Sequence, residues 1–217
     1  MKEIAMIMLA AGNSRRFGSN KLLYEIEGQP MYSRILGQLK EVQRCFPAKY
    51  ENMPPEFCVH EVTDMAERQQ LPFTEQTVVK LTVVTQYREI GDAAQKAGAQ
   101  VLYNPHPDEG ISSSLQIGLK ANRNADACLF TVSDQPWLTC ATILGLLRLY
   151  LDSGKGIACV SSGRKLGNPC IFSRKYYPEL MELRGDVGGK HVITAHRNDT
   201  AVLTVEQAAE LRDVDTL

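Results

Sequence analysis

The sequence predicts an α/β protein: a single doubly wound, mostly parallel sheet, with an insertion between the first helix and the second strand. Three observations carry that expectation. Short, continuously apolar runs alternate along the chain with segments of helical length, the pattern of strands buried on both faces and linked by crossover helices. The first apolar run ends abruptly at a glycine-containing turn, where a sheet of this kind places its ligand. The 217 residues, of which 44% are hydrophobic and 23% charged, are enough for one such domain with a full core, spanning 1–217.

The elements follow in order. Residues 4–10 read as a buried parallel strand. Pro30 suits a helix start, and Met31, Ile35, Leu39 and Val42 then fall close to helical spacing. From about 46 to 77 the chain carries Pro47, Pro54, Pro55 and Pro72 with little periodicity. That is long for a connection in a compact domain, so it reads as the insertion, with one helix from Val62 to Gln70. Val78 to Thr85 is the clearest β-branched run. A helix near 89–97 stops at Gly98, a short strand covers 100–103, and Gly110 precedes a helix through about Asn122. Ala127 to Val132 reads as the next buried strand and 139–152 as a leucine-rich helix. Strands near 157–161 and 169–172, helices near 175–183 and 186–196, and a strand at 200–204 complete the expectation.

The turn after the first strand, Leu9-Ala10-Ala11-Gly12-Asn13-Ser14-Arg15-Arg16-Phe17-Gly18-Ser19-Asn20-Lys21, is the most informative stretch. Small residues leave backbone amides accessible, and Arg15, Arg16 and Lys21 add fixed positive charge, a combination that holds phosphate. Five residues separate Gly12 from Gly18, which excludes both the Walker A spacing and Gly-x-Gly-x-x-Gly.

Phe130-Thr131-Val132-Ser133-Asp134-Gln135-Pro136 delivers one carboxylate at a strand's carboxyl end. Beside a phosphate loop such a group suits Mg²⁺, which takes one or two carboxylates plus phosphate oxygens; the alternative is a turn cap before Pro136. In Asp213-Val214-Asp215 a strand would put both carboxylates on one face. Ser112, Ser113 and Ser114 after Gly110 and Ile111 read by themselves as a helix cap. The four histidines form no pattern: His191 and His196 are five apart, and His60 and His106 stand alone. Six cysteines lie scattered without a C-x-x-C pair, as reduced thiols rather than a disulfide framework or zinc site. A net charge of -1 gives no reason to propose nucleic acid or an anionic membrane as partner. The N-terminal apolar run is too short for a signal peptide or membrane span, so the expected location is the cytoplasm.

Leu9, Ala10, Gly12, Ser14, Arg16, Phe17, Gly18 and Lys21 together resemble the signature of the MobA-like nucleotidyltransferases. Ala11 in particular is similar to the molybdenum cofactor cytidylyltransferases, whose guanylyltransferase relatives carry glycine there. The resemblance implies a Rossmann-like nucleotidyltransferase fold. It implies nucleotide binding by Leu9, Ala10, Ala11, Gly12, Ser14, Arg16, Gly18 and Lys21, with Ser113 and Ser114 against base and ribose. Arg16, Lys21 and Asp134 would carry the chemistry, and Asp134 with Asp215 would hold Mg²⁺, Asp213 being the alternative. Gln86 stands where the family more often has glycine in a loop bordering the base. Gly167-Asn168-Pro169-Cys170-Ile171-Phe172 resembles an element that has histidine in place of Asn168, which leaves a hydrogen-bonding group without positive charge. Leu183 to Lys190 is similar to a Gly-Asp-x-Gly-Ala-Arg loop, and so Asn168, Asp186 and Lys190 are the candidates for the second substrate. The function implied is transfer of CMP from CTP to the phosphate of molybdopterin, releasing pyrophosphate, with docking to a molybdenum hydroxylase as the further partner. Two alternatives stand beside it: the same transfer to another phosphorylated acceptor, and a non-catalytic accessory protein that binds cofactor for such a hydroxylase.

Overall fold

The computed structural model describes residues 2–13, 20–46, 77–163 and 165–214. The first strand, β1 (Lys2–Ala10), lies third in a sheet that has seven strands among the described residues. Its apolar residues are continuous because both faces are covered. Ile4, Met6, Met8 and Ala10 enter one core cluster, while Ala5, Ile7 and Leu9 enter the other. Each isoleucine, methionine and leucine of this set contributes roughly 1.5–3 kcal/mol by leaving water.

β1 pairs in parallel with β4 (Thr77–Thr85) on one side and β6 (Ala127–Val132) on the other. Beyond β4 lies β5 (Gln100–Tyr103), also parallel. A two-residue hairpin, β2 (Glu25–Ile26) with β3 (Gln29–Pro30), stands apart from this sheet. Beyond β6 come β8 (Lys165–Ser173), then β7 (Ile157–Ser162), then β9 (Thr200–Thr204). β8 is antiparallel to both neighbours, and β9 is parallel to β7. The expectation of a mostly parallel sheet holds, with β8 as the reversed member.

Among the described residues six α-helices cover the two faces. On one face α1 (Met31–Cys45), α2 (Arg88–Lys96) and α4 (Cys140–Ser153) bury Ile35, Leu39, Ile90, Ala94, Ile143 and Leu147 against the sheet. On the other, α3 (Ile111–Ala121), α5 (Tyr177–Glu182) and α6 (Lys190–Ala195) contribute Leu115, Leu119, Leu180, Val192 and Ile193. The last two helices are shorter than the sequence predicts. A 3-10 turn at Arg174–Tyr176 precedes α5, and the glycines at 185, 188 and 189 keep the chain irregular until Lys190. The strand expected at 169–172 begins earlier, at Lys165. The insertion, including the helix expected from Val62 to Gln70, falls outside the described residues apart from Phe46, which follows α1, and Thr77, which opens β4.

β1 leads to β4 on one side, and β6 leads toward β7 on the other. The loops leaving their carboxyl ends diverge and open a crevice, the place where doubly wound sheets bind ligands.

Candidate active site

The crevice is lined by Leu9, Ala11, Gly12 and Asn13 after β1, by Val132, Ser133 and Asp134 after β6, and by Lys21 and Leu22. Pro107, Asp108, Gly110, Ile111 and Ser114 at the start of α3, with Asp186, close its far wall. Lys21 and Asp134 meet inside it: the ammonium lies 2.9 Å from Asp134 Oδ2, with both side chains at least three-quarters buried. Lys21 also donates to the Val214 carbonyl at 3.2 Å. Ser133 anchors the neighbouring strand end, its hydroxyl and amide both donating to the Leu9 carbonyl.

The C-terminal segment packs against this point. The Val214 amide donates to the Asp134 carbonyl at 2.9 Å. Gln135, buried, donates its side-chain amide to the Leu211 carbonyl and to Asp213 Oδ1. Arg212 lies over the Trp137 ring at 4.4 Å. Asp213, the alternative metal ligand, is thus engaged by Gln135. Asp215 lies outside the described residues, as do Ser14, Arg16 and Gly18.

The remaining sequence candidates divide. Ser114 lines the crevice and accepts a hydrogen bond from Asn104. Ser113 does not line it; its hydroxyl accepts from Asn104 and donates to the carbonyls of His106 and Gly110. Ala10 is buried beneath the loop, with its carbonyl held by Thr85. Asp186 reaches the crevice; Lys190 is exposed and Asn168 half-buried, neither among its lining residues. Arg184, in the same loop as Asp186, donates to the carbonyls of Met181 and Leu183 at the end of α5.

Two residues escaped the sequence reading. Asn104 is buried and organises the start of α3: it donates to both serines and accepts from the His106 amide. Its signal was an asparagine between a strand and Pro105, a turn residue by type. Gln135 had no signal beyond its place beside Asp134. Gly110 holds φ at +84°, and an added Cβ would lie 2.3 Å from the Gly185 carbonyl carbon. The start of α3 and the turn at Gly185 therefore close up within the far wall only because glycine occupies position 110.

The donor chemistry at Asp134 fits a divalent cation in one respect. A carboxylate beside a phosphate site is a hard oxygen ligand of the kind Mg²⁺ accepts, the substrate supplying further oxygens. Among the described residues no three acidic, histidine or cysteine side chains gather into a metal cluster. Burial pushes the thiols of Cys128 and Cys159 up to about 12 and about 11, so neither is a thiolate nucleophile near neutral pH.

A sequence profile of the MobA-like NTP transferase domain matches residues 6–201. The purine catabolism protein PucB of Bacillus subtilis is 24% identical over 97% of this chain and 90% of its own length. Among solved structures, a nucleotidyl transferase from Methanothermobacter superposes with a TM-score of 0.69 at 17% identity, covering 98% of this chain and 92% of that one. The molybdopterin-guanine dinucleotide biosynthesis protein A of Archaeoglobus fulgidus superposes at 0.60 with 14% identity, covering 98% and 92%. These structures share the fold, and the profile covers nearly the whole crevice-forming part of the sequence: the chain belongs to the MobA-like NTP transferase family.

Proposed function

We propose that this nucleotidyltransferase transfers CMP from CTP to the terminal phosphate of a molybdopterin-type cofactor, giving the cytosine dinucleotide form and pyrophosphate. The observation that carries the reading is the meeting of Lys21 and Asp134 in the crevice between the β1 loop and the start of α3. A cation and a carboxylate set against the amides of a small-residue loop suit a triphosphate and its counter-ion. Ala11, the local mark of the cytidylyltransferases, supports CTP.

In the reaction an oxygen of the acceptor phosphate attacks the α-phosphorus of CTP. A new P–O bond forms, and the bond from the α-phosphorus to the bridging oxygen breaks, the electron pair leaving with pyrophosphate. A phosphate monoester has a second pKa of about 6, so the nucleophile arrives ionised and needs no base. What remains is alignment of two anions and neutralisation of charge. Lys21 supplies a fixed cation near the α-phosphate, Arg16 a second one from its sequence position, and the loop amides grip the outer phosphates. Asp134, with Asp215 by sequence position, would hold Mg²⁺, which when bound neutralises charge on the triphosphate. Asp186 at the far wall borders the acceptor, and a molybdenum hydroxylase is the proposed recipient of the product.

The test is pyrophosphate release by the purified protein with Mg²⁺ and molybdenum-loaded molybdopterin, comparing CTP, GTP and ATP. Release with CTP alone is the expected outcome. Silence with all three from folded protein would overturn it in favour of another phosphorylated acceptor or a carrier role.

A further inference from the structure

Three consecutive carbonyls where β1 ends and its loop begins are captured by three consecutive side chains where β4 ends and α2 begins. Thr85 Oγ1 donates to the Ala10 carbonyl at 2.9 Å, Gln86 Nε2 to the Ala11 carbonyl at 2.8 Å, and Tyr87 Oη to the Gly12 carbonyl at 2.8 Å. The clasp is itself braced. Thr85 Oγ1 accepts from the Tyr87 amide, and Gln86 Nε2 also donates to Asn13 Oδ1 at 2.7 Å. Asn13 Nδ2 in turn donates to Asp108 Oδ1 at 2.7 Å on the opposite wall.

Peptide planarity gives this arrangement its consequence. A trans peptide points its N–H opposite to its C=O. With the Ala11 and Gly12 carbonyls drawn toward Gln86 and Tyr87, the amides of Gly12 and Asn13 are directed the other way. Both residues line the crevice. Two successive amides on one side of a loop form a concavity for an anion. A Cβ added at Gly12 would meet no atom of the described residues within 4 Å, so their packing does not dictate glycine there.

We propose that Gln86 and Tyr87 are positioning residues, which set the Gly12 and Asn13 amides for the nucleotide's phosphate groups before the nucleotide arrives, while Thr85 fixes the strand end from which the loop departs. The proposal rests on the nucleotidyltransferase reading and gives Gln86 and its neighbours a role in it. They touch no reacting atom; they act through the backbone of the loop. Removing one donor frees a carbonyl to turn back toward the crevice, where it would repel phosphate. Preorganisation of this kind is felt mainly in binding.

The test uses Gln86→Leu and Tyr87→Phe, the second removing only a hydroxyl so that packing is retained. The probes are CTP with Mg²⁺ and inorganic tripolyphosphate. Amide resonances of Gly12 and Asn13 should shift on adding tripolyphosphate to the native protein and shift much less in the variants. KM for CTP should rise by up to about tenfold per lost bond, as loss of one neutral hydrogen bond implies, with kcat at saturation within about twofold and the thermal midpoint preserved. Equal binding with unchanged amide shifts would overturn the proposal alone, as would a fall in kcat at constant KM. Failure of the native protein to bind either probe would overturn the functional reading as well.

Discussion

Asp134 stands at the end of a buried strand with Lys21 against one oxygen and the Val214 amide on its carbonyl, so its side chain and its backbone do separate work. Asp134→Ala leaves the backbone bond in place and removes only the carboxylate. We expect pyrophosphate release to fall at least 100-fold, in the range typical of lost electrostatic groups, with the protein still folded at the assay temperature although its melting point falls as Lys21 loses its counter-charge. Full activity in that variant would sink the role given to the carboxylate. Gly110→Ala should behave in the opposite way. Its positive φ and the 2.3 Å approach to Gly185 predict a loss of about 2 kcal/mol or more in urea unfolding, whether or not nucleotide is present. At this scale the sequence was legible where a residue type announces its chemistry, as Lys21 and Asp134 do. It was silent where a role depends on what lies opposite. Gln86 differs from the family's usual glycine, yet its sequence says nothing of the Ala11 carbonyl it holds. Ser113 and Ser114 look alike in the sequence, and only the carbonyls of His106 and Gly110 show that the Ser113 hydroxyl is spent within the protein.

The strands were readable as elements because burial on both faces leaves no polar position to break the run; β1 and β6 are the clearest cases. The reversed sense of β8 was not readable, because an apolar strand looks the same in either direction and only the short turn after β7 argues for antiparallel pairing. The segment after β9 was equally opaque. It forms a 3-10 turn at Ala208–Leu211, and Glu210 from that turn accepts hydrogen bonds from the hydroxyls of Thr139 and Thr142, the first of which caps α4. Tail and helix start are therefore one structural unit beside Asp134. Glu210→Ala should cost about 1–2 kcal/mol, the worth of a helix cap with its hydrogen bonds. Amide exchange should show the loss as faster opening of the first turn of α4 and of residues 211–214. Unchanged exchange in both places would separate the tail from the helix.

Across the whole molecule, the crevice occupies the carboxyl ends of β1 and β6, while a separate polar cluster forms at the opposite end of the sheet. There Lys175 Nζ lies 2.7 Å from Asp199 Oδ2, Tyr176 donates its hydroxyl to the same carboxylate, and His196 pairs with Glu179 at 2.8 Å. Hydrogen bonds from Lys175 and Tyr176 hold the Asp199 carboxyl down to about 2, from an ordinary value of 3.8. A carboxyl depressed on folding stabilises the native state above its unfolded pKa, and that contribution is lost as pH falls through the folded value. The native protein should lose thermal stability between pH 3.8 and about 2, and Asp199→Asn should lose less over that window. Nucleotide affinity at neutral pH should be the same in both, because the cluster and the crevice lie at opposite ends of the sheet. A change in affinity would show the two ends to be coupled.

The bonds from Lys21 to Asp134 and to the Val214 carbonyl join residues 113 and 193 positions apart. Closures of that span are among the costliest a chain makes and are associated with slow folding steps. During synthesis the phosphate loop and its clasp emerge early, but the ammonium finds its carboxylate only after β6 has been made, and its second acceptor only after β9. An incomplete chain can thus hold much of the sheet without a finished reaction centre. In a refolding chain, pyrophosphate release should recover no earlier than the docking of residues 211–214, so the appearance of activity times the end of assembly rather than its beginning.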